Sequence, residues 1–314
     1  MKKVTLIKLL CFVLIFSFLA IIATLYDYQI SNFLVGKNLK NGYYYSNNLL
    51  GNIIEIVGES ILYIFLTFSF IILAFYFYNT NSHFKIITII FTFIAFYFSY
   101  RMFSVSGKYI YEIYNLDIFN SIAFKILYVL FAILYTFLNM LLVKKKFLNK
   151  INELVPFVTI VIVTFALSTI ITHLIIKPFM GRERFRATYY LVENNLEHLG
   201  FTKWYVFNGS SSKLASIYNV DKELYKSFPS GHTCAAAISF TLLLVPKMFN
   251  VSTKSKWFYY IFPFVYTFLV AFGRIIVGAH YLSDVLFGGT ITFVCTYISY
   301  FGYLFIKKKV IKKK

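Results

Sequence analysis

Three short polar stretches in the second half of the chain carry residue types that could transfer a phosphoryl group. They are Lys177–Arg184 (KPFMGRER), Ser227–His232 (SFPSGH) and Arg274–Asp284 (RIIVGAHYLSD). Attack on a phosphate ester requires neutralised phosphate oxygens, a nucleophile placed in line and a proton for the leaving oxygen. The stretches supply two histidines, an aspartate and several fixed positive charges, so they predict phosphoryl transfer through a histidine nucleophile.

The third stretch contains the candidate nucleophile. His280 and Asp284 are four residues apart, so on a helix they share one face. A carboxylate on one imidazole nitrogen selects the tautomer and leaves the other nitrogen free to attack. By itself the pair is equally compatible with a polar loop that holds a chance ion pair.

The first stretch is rich in cations. Lys177 ends an apolar segment and Arg184 follows it, with Arg182 and Arg186 as possible accessory groups. Guanidinium groups bind phosphate oxygens through two parallel hydrogen bonds, and a lysine adds a compact charge. The alternative is that these basic side chains extend from a helix end to the membrane interface.

The second stretch opens another apolar segment. Ser230 is a good N-cap residue, and the backbone N–H groups at Ser230 and Gly231 would form an anion site at a helix start. His232, in the first turn, could protonate a leaving alkoxide. A capped helix with an incidental histidine is the competing interpretation.

The composition places these stretches in a membrane protein. Of 314 residues, 59% are hydrophobic and only 14% are charged, with a mean hydropathy of +0.71. Spanning helices need about 20 mostly apolar residues, which predicts an all-α, polytopic helical bundle of about eight membrane helices. The segments are 9–26, 53–78, 86–103, 122–143, 154–176, 233–249, 257–272 and 285–306.

The basic residues predict the orientation. The net charge of +19 comes from lysines and arginines between apolar runs, which suits topology signals and anionic lipids, and no nucleic-acid partner is expected. The positive-inside rule puts both termini in the cytoplasm and all three stretches on the outer side. The connection 177–231 would fold over the site there. Segment 9–26 is expected to be an uncleaved helix, with a signal peptide as the alternative.

The order of the three motifs resembles the type-2 phosphatidic acid phosphatase superfamily, which also includes vanadium haloperoxidases. The family pattern is Lys-x6-Arg-Pro, Pro-Ser-Gly-His and Ser-Arg-x5-His-x3-Asp. The resemblance implies that His280 forms a phosphohistidine, Asp284 orients it and His232 is the acid and then the base. It implies that the phosphate is bound by Lys177, Arg184, Arg274, Ser230 and Gly231, and that neither a metal nor another cofactor is needed.

The resemblance also implies a division of the chain. The family core usually has six helices, so residues 81–314 would form the core and residues 1–80 an N-terminal addition of membrane helices. Phe185 and Gly273 stand where the family usually has proline and serine. In the second segment, Glu55 and Glu59 lie one turn apart, and an ion pair with Arg101 is the expected explanation.

The expected function is therefore an integral membrane lipid phosphatase with its site at the outer face. Its partners would be membrane lipids and a lipid phosphate: undecaprenyl diphosphate or monophosphate, phosphatidic acid, phosphatidylglycerophosphate or a lipid A phosphate. Two alternatives stay open. One is a lipid phosphotransferase that uses the same histidine, and the other is a catalytically silent transporter or structural homologue. The oligomeric state does not follow from the sequence.

Overall fold

The computed structural model describes residues 3–35, 39, 43–80 and 85–313, with side chains from 10 to 310. The described residues are 83% helical and contain no β-strand, only an isolated bridge between Leu39 and Ser46. The predicted all-α fold is confirmed. The α-helices are α1 Lys3–Val35, α2 Leu49–Val57, α3 Ser60–Thr80, α4 Lys85–Tyr114, α5 Ile122–Leu142, α6 Ile151–Thr169, α7 Lys177–Met180, α8 Phe185–Glu193, α9 Ser211–Tyr218, α10 Gly231–Ala236, α11 Val245–Met248, α12 Thr253–Ile276 and α13 Leu282–Lys313.

Six stretches of the described chain are long and apolar enough to cross a membrane, which makes this a multi-pass membrane protein. Helices satisfy their backbone hydrogen bonds internally, so they are the form such sequences take in lipid. The stretches are Leu10–Val35, Leu49–Thr80, Lys85–Tyr114, Ile122–Glu193, Thr253–Ile276 and Leu282–Val310.

The structure has six such stretches among the described residues where eight membrane helices were predicted, and the difference has two reasons. The stretch Ile122–Glu193 contains two predicted segments, α5 and α6, separated where Phe147 and Lys150 leave helical backbone values. The predicted segment 233–249 is divided among α10, a 3-10 helix over Ala237–Leu244, and α11. No piece of it reaches the length of a span by itself.

The chain forms two compact units, each built from three segments. The first contains residues 1–52, 171–231 and 271–289, and the second contains 53–170, 232–270 and 290–314. The predicted boundary at residue 80, between an N-terminal addition and a family core, concerns a different division and stays a prediction.

In the second unit, α3 packs against α4 and α6 around an apolar cluster that includes Ile72, Val158 and Val161. Buried hydroxyl groups also join its helices. Thr136 donates a hydrogen bond to Ser99 at 2.9 Å, and the Ser99 and Thr67 hydroxyls are 3.2 Å apart. Hydroxyl pairs of this kind link helices where lipid offers no hydrogen-bond partner.

In the first unit, α1 presents a buried stripe at four-residue spacing: Ala23, Asp27, Ser31 and Val35. Residues at this spacing lie above one another on a helix. Val35 belongs to an apolar cluster with Phe185 and Tyr281. The first unit therefore packs α1 beside the segments that carry the phosphate motifs.

The lysines that predict the membrane orientation are only partly described. Lys2, Lys37, Lys40 and Lys314 lie outside the described residues. Lys144, Lys145 and Lys146 are exposed on a π-helical turn between α5 and α6. The orientation itself stays a prediction.

Candidate active site

Backbone hydrogen bonds join the three motif stretches within the first unit. Arg184 N–H donates to Leu224 O at 2.9 Å, and Ser227 N–H donates to Arg182 O at 3.0 Å. Ser230 N–H donates to Asp284 O at 2.9 Å. The first unit thus collects nine predicted site residues, namely Lys177, Arg182, Arg184, Arg186, Ser230, Gly231, Arg274, His280 and Asp284.

Asp284 is fixed at the start of α13. Its Oδ2 accepts a 2.8 Å hydrogen bond from the N–H of Tyr281, the residue before the helix begins. A third-position side chain that reaches back to the preceding N–H is one half of a capping box. Oδ2 also accepts a 2.5 Å hydrogen bond from the Ser227 hydroxyl. Both contacts hold the carboxylate toward the His280 side of the turn.

His280 is buried beside this carboxylate. Its Nδ1 lies 3.6 Å from Oδ2 of Asp284, which is beyond hydrogen-bond length. Nδ1 has no hydrogen-bond partner among the described residues. Asp284 is therefore placed to accept a hydrogen bond from Nδ1 after a small approach, and the opposite nitrogen Nε2 is the candidate nucleophile.

Arg182, a possible accessory group for phosphate binding by its charge, is bound instead to groups of the protein. It is fully buried, and its three guanidinium nitrogens all donate to protein groups. Nε donates to Thr202 O at 2.9 Å, one Nη donates to Asp284 at 2.6 Å and to Ser283 at 2.7 Å, and the other donates to Asp27 at 2.9 Å. Its contacts are those of a group that holds Asp284 in place.

Lys177, Arg184 and Arg274 provide the cations near His280. Lys177 donates to Pro229 O at 3.1 Å, and Arg184 donates through Nε to Glu223 O at 2.8 Å. Arg274 is buried, and its carbonyl accepts from the N–H of His280 at 3.2 Å. A backbone turn from Arg274 to His280 thus places the last arginine of α12 next to the candidate nucleophile.

Burial and these charges control the protonation of His280. Burial lowers the pKa of His280 well below its ordinary value, because the imidazolium form would lose its hydration. Asp284 opposes this, and the charges of Arg184, Arg274 and Lys177 lower the pKa further. The imidazole is therefore neutral at pH 7, which is the form required of a nucleophile.

Glu223 lies against the same cations. Its Oε2 is 4.0 Å from an Nη of Arg184, and its Oε1 accepts a 2.6 Å hydrogen bond from Lys226. Burial acts to raise the pKa of Glu223, but the Lys226 hydrogen bond and the charges of Arg184, Lys226 and Lys177 hold it below its ordinary value. An ionised carboxylate thus partly neutralises the cation group.

The Ser230–Gly231 segment is tightly enclosed. A Cβ added to Gly231 would lie 2.9 Å from Cε1 of His173 and 3.6 Å from Nζ of Lys177. Ser230 is buried, and its carbonyl lies where a Cβ on Gly288 of α13 would meet it at 2.5 Å. Because residues 231 and 288 are glycines, the backbone of the Ser230–Gly231 segment can lie close to Lys177 and to α13.

His232, the remaining predicted catalytic residue, belongs to the second unit. Its Nδ1 lies 3.1 Å from Oε1 of Glu59, and its Nε2 lies 3.2 Å from Glu55 O. The Tyr109 ring packs edge-on against the imidazole at 5.1 Å. Glu59, one of the two glutamates considered as a partner of Arg101, thus has the imidazole as a partner and can orient it.

The contacts of three other positions singled out in the sequence are those of packed residues within the fold. Phe185 is fully buried and contacts Tyr281 edge-on, so it packs beside the motif that contains His280. Arg186 lies over the rings of Tyr44 and Tyr45, at 4.4 and 4.6 Å from their centroids. Gly273, within α12, is buried.

Sequence reasoning missed four residues of this network: Asp27, His173, Ser227 and Ser283. Ser227 and Ser283 flank predicted residues within the motif stretches. Asp27 directly follows the apolar run 9–26 and is one of only 12 acidic residues in the chain. An acidic residue at the end of a membrane helix was an available signal. Within the described residues, no group of three or more His, Cys, Asp or Glu side chains is arranged to hold a metal ion.

The fold and the site define a class: an all-α, multi-pass membrane protein with a buried histidine–aspartate pair beside a group of cations. Residues 157–307 match a family model described as the PAP2 superfamily, which confirms the predicted resemblance to the type-2 phosphatidic acid phosphatase superfamily over this segment. Members of this superfamily are generally phosphatases. Comparisons with curated proteins and with solved structures returned no match.

Proposed function

We propose that this protein is an integral membrane lipid phosphatase that works through a phosphohistidine on His280. The observation that carries the proposal is that His280 is buried beside Asp284. The positive charges of Lys177, Arg184 and Arg274 are close enough to act on its imidazole. The match of residues 157–307 to the PAP2 superfamily supports the same reaction class.

In the first step, Nε2 of His280 attacks phosphorus, the nitrogen–phosphorus bond forms and the bond from phosphorus to the lipid oxygen breaks. Asp284 accepts the hydrogen bond from Nδ1–H and stabilises the positive charge that develops on the ring. His232 gives its proton to the leaving oxygen. The carboxylate of Glu59 supports this assignment because it favours a protonated imidazole.

In the second step, water attacks the phosphohistidine. His232 takes one proton from the water, the nitrogen–phosphorus bond breaks and His280 returns to its neutral form with its Nδ1 proton. Lys177, Arg184 and Arg274, together with the N–H group of Gly231, would neutralise the phosphate oxygens in both steps. The N–H of Ser230, expected to join them, is instead bound to the carbonyl of Asp284. None of these steps uses a metal ion.

The substrate class follows from the setting. Apolar helices suit a lipid tail, and the cations suit a phosphate at the level of the headgroups. Polyprenyl diphosphate or monophosphate, phosphatidic acid, phosphatidylglycerophosphate and lipid A phosphates all meet this description. An outward site, as the positive-inside rule predicts, favours recycling of a polyprenyl carrier or removal of a headgroup phosphate.

The test is phosphate release from this lipid panel by the purified protein in detergent, with EDTA present. We expect EDTA to have no effect and His280→Ala to lower the turnover number by at least ~1,000-fold, because the nucleophile is lost. His198→Gln is the matched control. His198 lies in the first unit but pairs with Glu183 at 3.1 Å, so this variant is expected to retain most activity.

The result also separates the alternatives. Full activity in His280→Ala would refute the assigned nucleophile. Labelled phosphate that passes to an acceptor lipid and not to water would identify a phosphotransferase with the same histidine. No release and no transfer, from protein that is folded and inserted, would favour a silent homologue.

A further inference from the structure

The aspartate on the first helix, Asp27, lies outside the family match, which begins at residue 157. Its side chain is 3% exposed. Oδ1 accepts a 2.9 Å hydrogen bond from the N–H of Ser283. Oδ2 accepts a 2.9 Å hydrogen bond from Arg182 and another from the Ser283 hydroxyl. Both oxygens of this buried carboxylate are therefore bound to groups that adjoin Asp284.

We propose that Asp27 is a positioning residue for the phosphoryl transfer, acting through Arg182 and Ser283 on the carboxylate of Asp284. The inference rests on the proposed function, since Asp284 is the partner of the nucleophile. It makes the first helix part of the catalytic apparatus, although the family resemblance treats that helix as an addition.

The first argument is the division of one positive charge. Arg182 binds Asp27 at 2.9 Å and Asp284 at 2.6 Å, so a single guanidinium faces two carboxylates. If Asp27 were neutral, the positive charge of Arg182 would be neutralised by the Asp284 carboxylate alone. The carboxylate of Asp284 would then stabilise a positively charged His280 ring less well. Asp27 thus keeps Asp284 effective as the partner of an imidazole that becomes charged during the reaction.

The second argument is geometric. Ser283 is the second residue of α13, where N–H groups have no partner within the helix. Asp27 accepts this N–H, and its negative charge suits the positive end of the helix dipole. The turn that carries Asp284 is therefore anchored from α1. Arg182, held at Nε by Thr202 O, completes the frame.

The third argument is that α1 is docked at more than one point. Trp204 donates a 2.9 Å hydrogen bond to Thr24, one turn before Asp27. Tyr189 donates a 2.9 Å hydrogen bond to Asn32, further along the same helix. These contacts do not involve Asp284, so they offer a way to weaken α1 docking without touching the carboxylate network.

The experiment compares Asp27→Asn with Thr24→Val in the full-length protein. The readout is the rate constant for phosphohistidine formation in rapid-quench measurements with a labelled lipid phosphate. A rate constant does not depend on the fraction of active protein, so a purely structural loss would not change it. We expect a decrease of about 10- to 100-fold for Asp27→Asn, as for other residues that orient a reacting group. Thr24→Val should stay within about threefold of the unchanged protein, because it leaves the carboxylate network intact.

Ser283→Ala provides a milder variant in case Asp27→Asn does not fold, since it changes no charge. It removes one hydroxyl that contacts both Asp27 and Arg182. A severalfold decrease in the same rate constant supports the proposal, whereas an unchanged rate constant overturns it. The proposal is also overturned if Asp27→Asn reacts at the normal rate, or if Thr24→Val loses as much as Asp27→Asn.

A second readout separates this proposal from the proposed function. Orthovanadate, which adopts the shape of a phosphoryl group in transfer, should raise the melting temperature of the unchanged protein and of Thr24→Val by the same amount, and that of Asp27→Asn by less. If no lipid is hydrolysed, the phosphatase proposal fails, and the melting temperatures with orthovanadate alone then test the role of Asp27. An equal shift in all three proteins, or no shift in any, overturns the role of Asp27.

Discussion

At His280, burial and three neighbouring cations act on the imidazole in the same direction, toward the neutral form, and the Asp284 carboxylate opposes them. A fixed cation such as Arg184 thus has two effects. In the proposed mechanism it would attract the substrate phosphate, and it would disfavour a proton on His280 before the phosphate arrives. The phosphate would bring negative charge that reverses this balance, so a positive charge on the ring would be stabilised only during the proposed reaction.

The lowered pKa of His280 predicts how stability depends on pH. In the unfolded chain His280 takes up a proton near pH 6.5, while the folded protein excludes it until a lower pH. The unfolded state therefore binds more protons, and stability falls as the pH decreases below about 6.5, by up to about 1.4 kcal/mol per pH unit for this one group.

The measurement is the free energy of unfolding in detergent, for the unchanged protein and for His280→Gln. The pH runs from about 5 to about 8, which covers both sides of the ordinary pKa of histidine. Glutamine does not titrate, so the variant should lose part of the slope below pH 6.5. Identical slopes would contradict a neutral, buried imidazole at this position.

Helix α13 links the chemistry to the packing of the first unit. Its first turn carries Asp284, and Gly288 follows one turn later against the backbone of Ser230. The close approach of α13 to this loop places the Ser230 N–H on the Asp284 carbonyl at 2.9 Å. The element therefore positions the Asp284 carboxylate, a candidate catalytic group, and part of the candidate phosphate site together.

Gly288→Ala is predicted to disturb this element. The added methyl group would lie 2.5 Å from the Ser230 carbonyl oxygen, and a backbone atom cannot move aside as a side chain can. We expect a loss of about 1–3 kcal/mol in stability, typical of overpacking, and a marked loss of phosphatase activity. Thermal unfolding and phosphate release measure the two effects.

Gly302→Ala is the matched control on the same helix. Nothing lies within 4 Å of the added methyl group there. Replacing this exposed glycine should stabilise the helix by about 0.5–1 kcal/mol and leave activity unchanged. Equal losses in the two variants would show that α13 tolerates no alanine in general, which would refute a specific contact with Ser230.

At the scale of the whole molecule, the distribution of basic residues predicts that the chemistry faces away from the cytoplasm. Lysines such as Lys144 and Lys247 lie in connections assigned to the inside, while the connection 177–231 is assigned to the outside. The first unit holds all of that outer connection. Half of the eight basic residues in this connection lie in or beside the first motif stretch, where contacts at the candidate site give them a role other than that of a topology signal. They are Lys177, Arg182, Arg184 and Arg186.

Cysteine labelling tests this orientation. Ser212 and Ser255 are both exposed serines. Ser212 lies in the connection assigned to the outside, and Ser255 lies in the first turn of α12, at the end assigned to the inside. In a background without the native cysteines, Ser212→Cys should react with an impermeant thiol reagent on intact cells. Ser255→Cys should react only after lysis. The reverse pattern would place the site in the cytoplasm.

The family and the fold class were predictable because their signals are local. Apolar runs of spanning length identify membrane helices, and short motifs with defined spacing identify the superfamily. The segment 233–249 was harder to predict, because hydropathy does not report that it is divided into short α and 3-10 pieces. Candidate residues such as His280 and Asp284 were likewise visible from spacing, and their catalytic roles stay predictions.

The sequence by itself determined a multi-pass, all-helical protein whose second half resembles a phosphatase superfamily, because hydropathy and motif spacing are properties of adjacent residues. Only the tertiary structure decided what the charged groups contact. Arg182 binds Asp27 across 155 positions of the chain, and Glu59 lies against His232. Such pairs depend on which helix faces pack together, and packing is decided by the whole fold, so no local pattern records it.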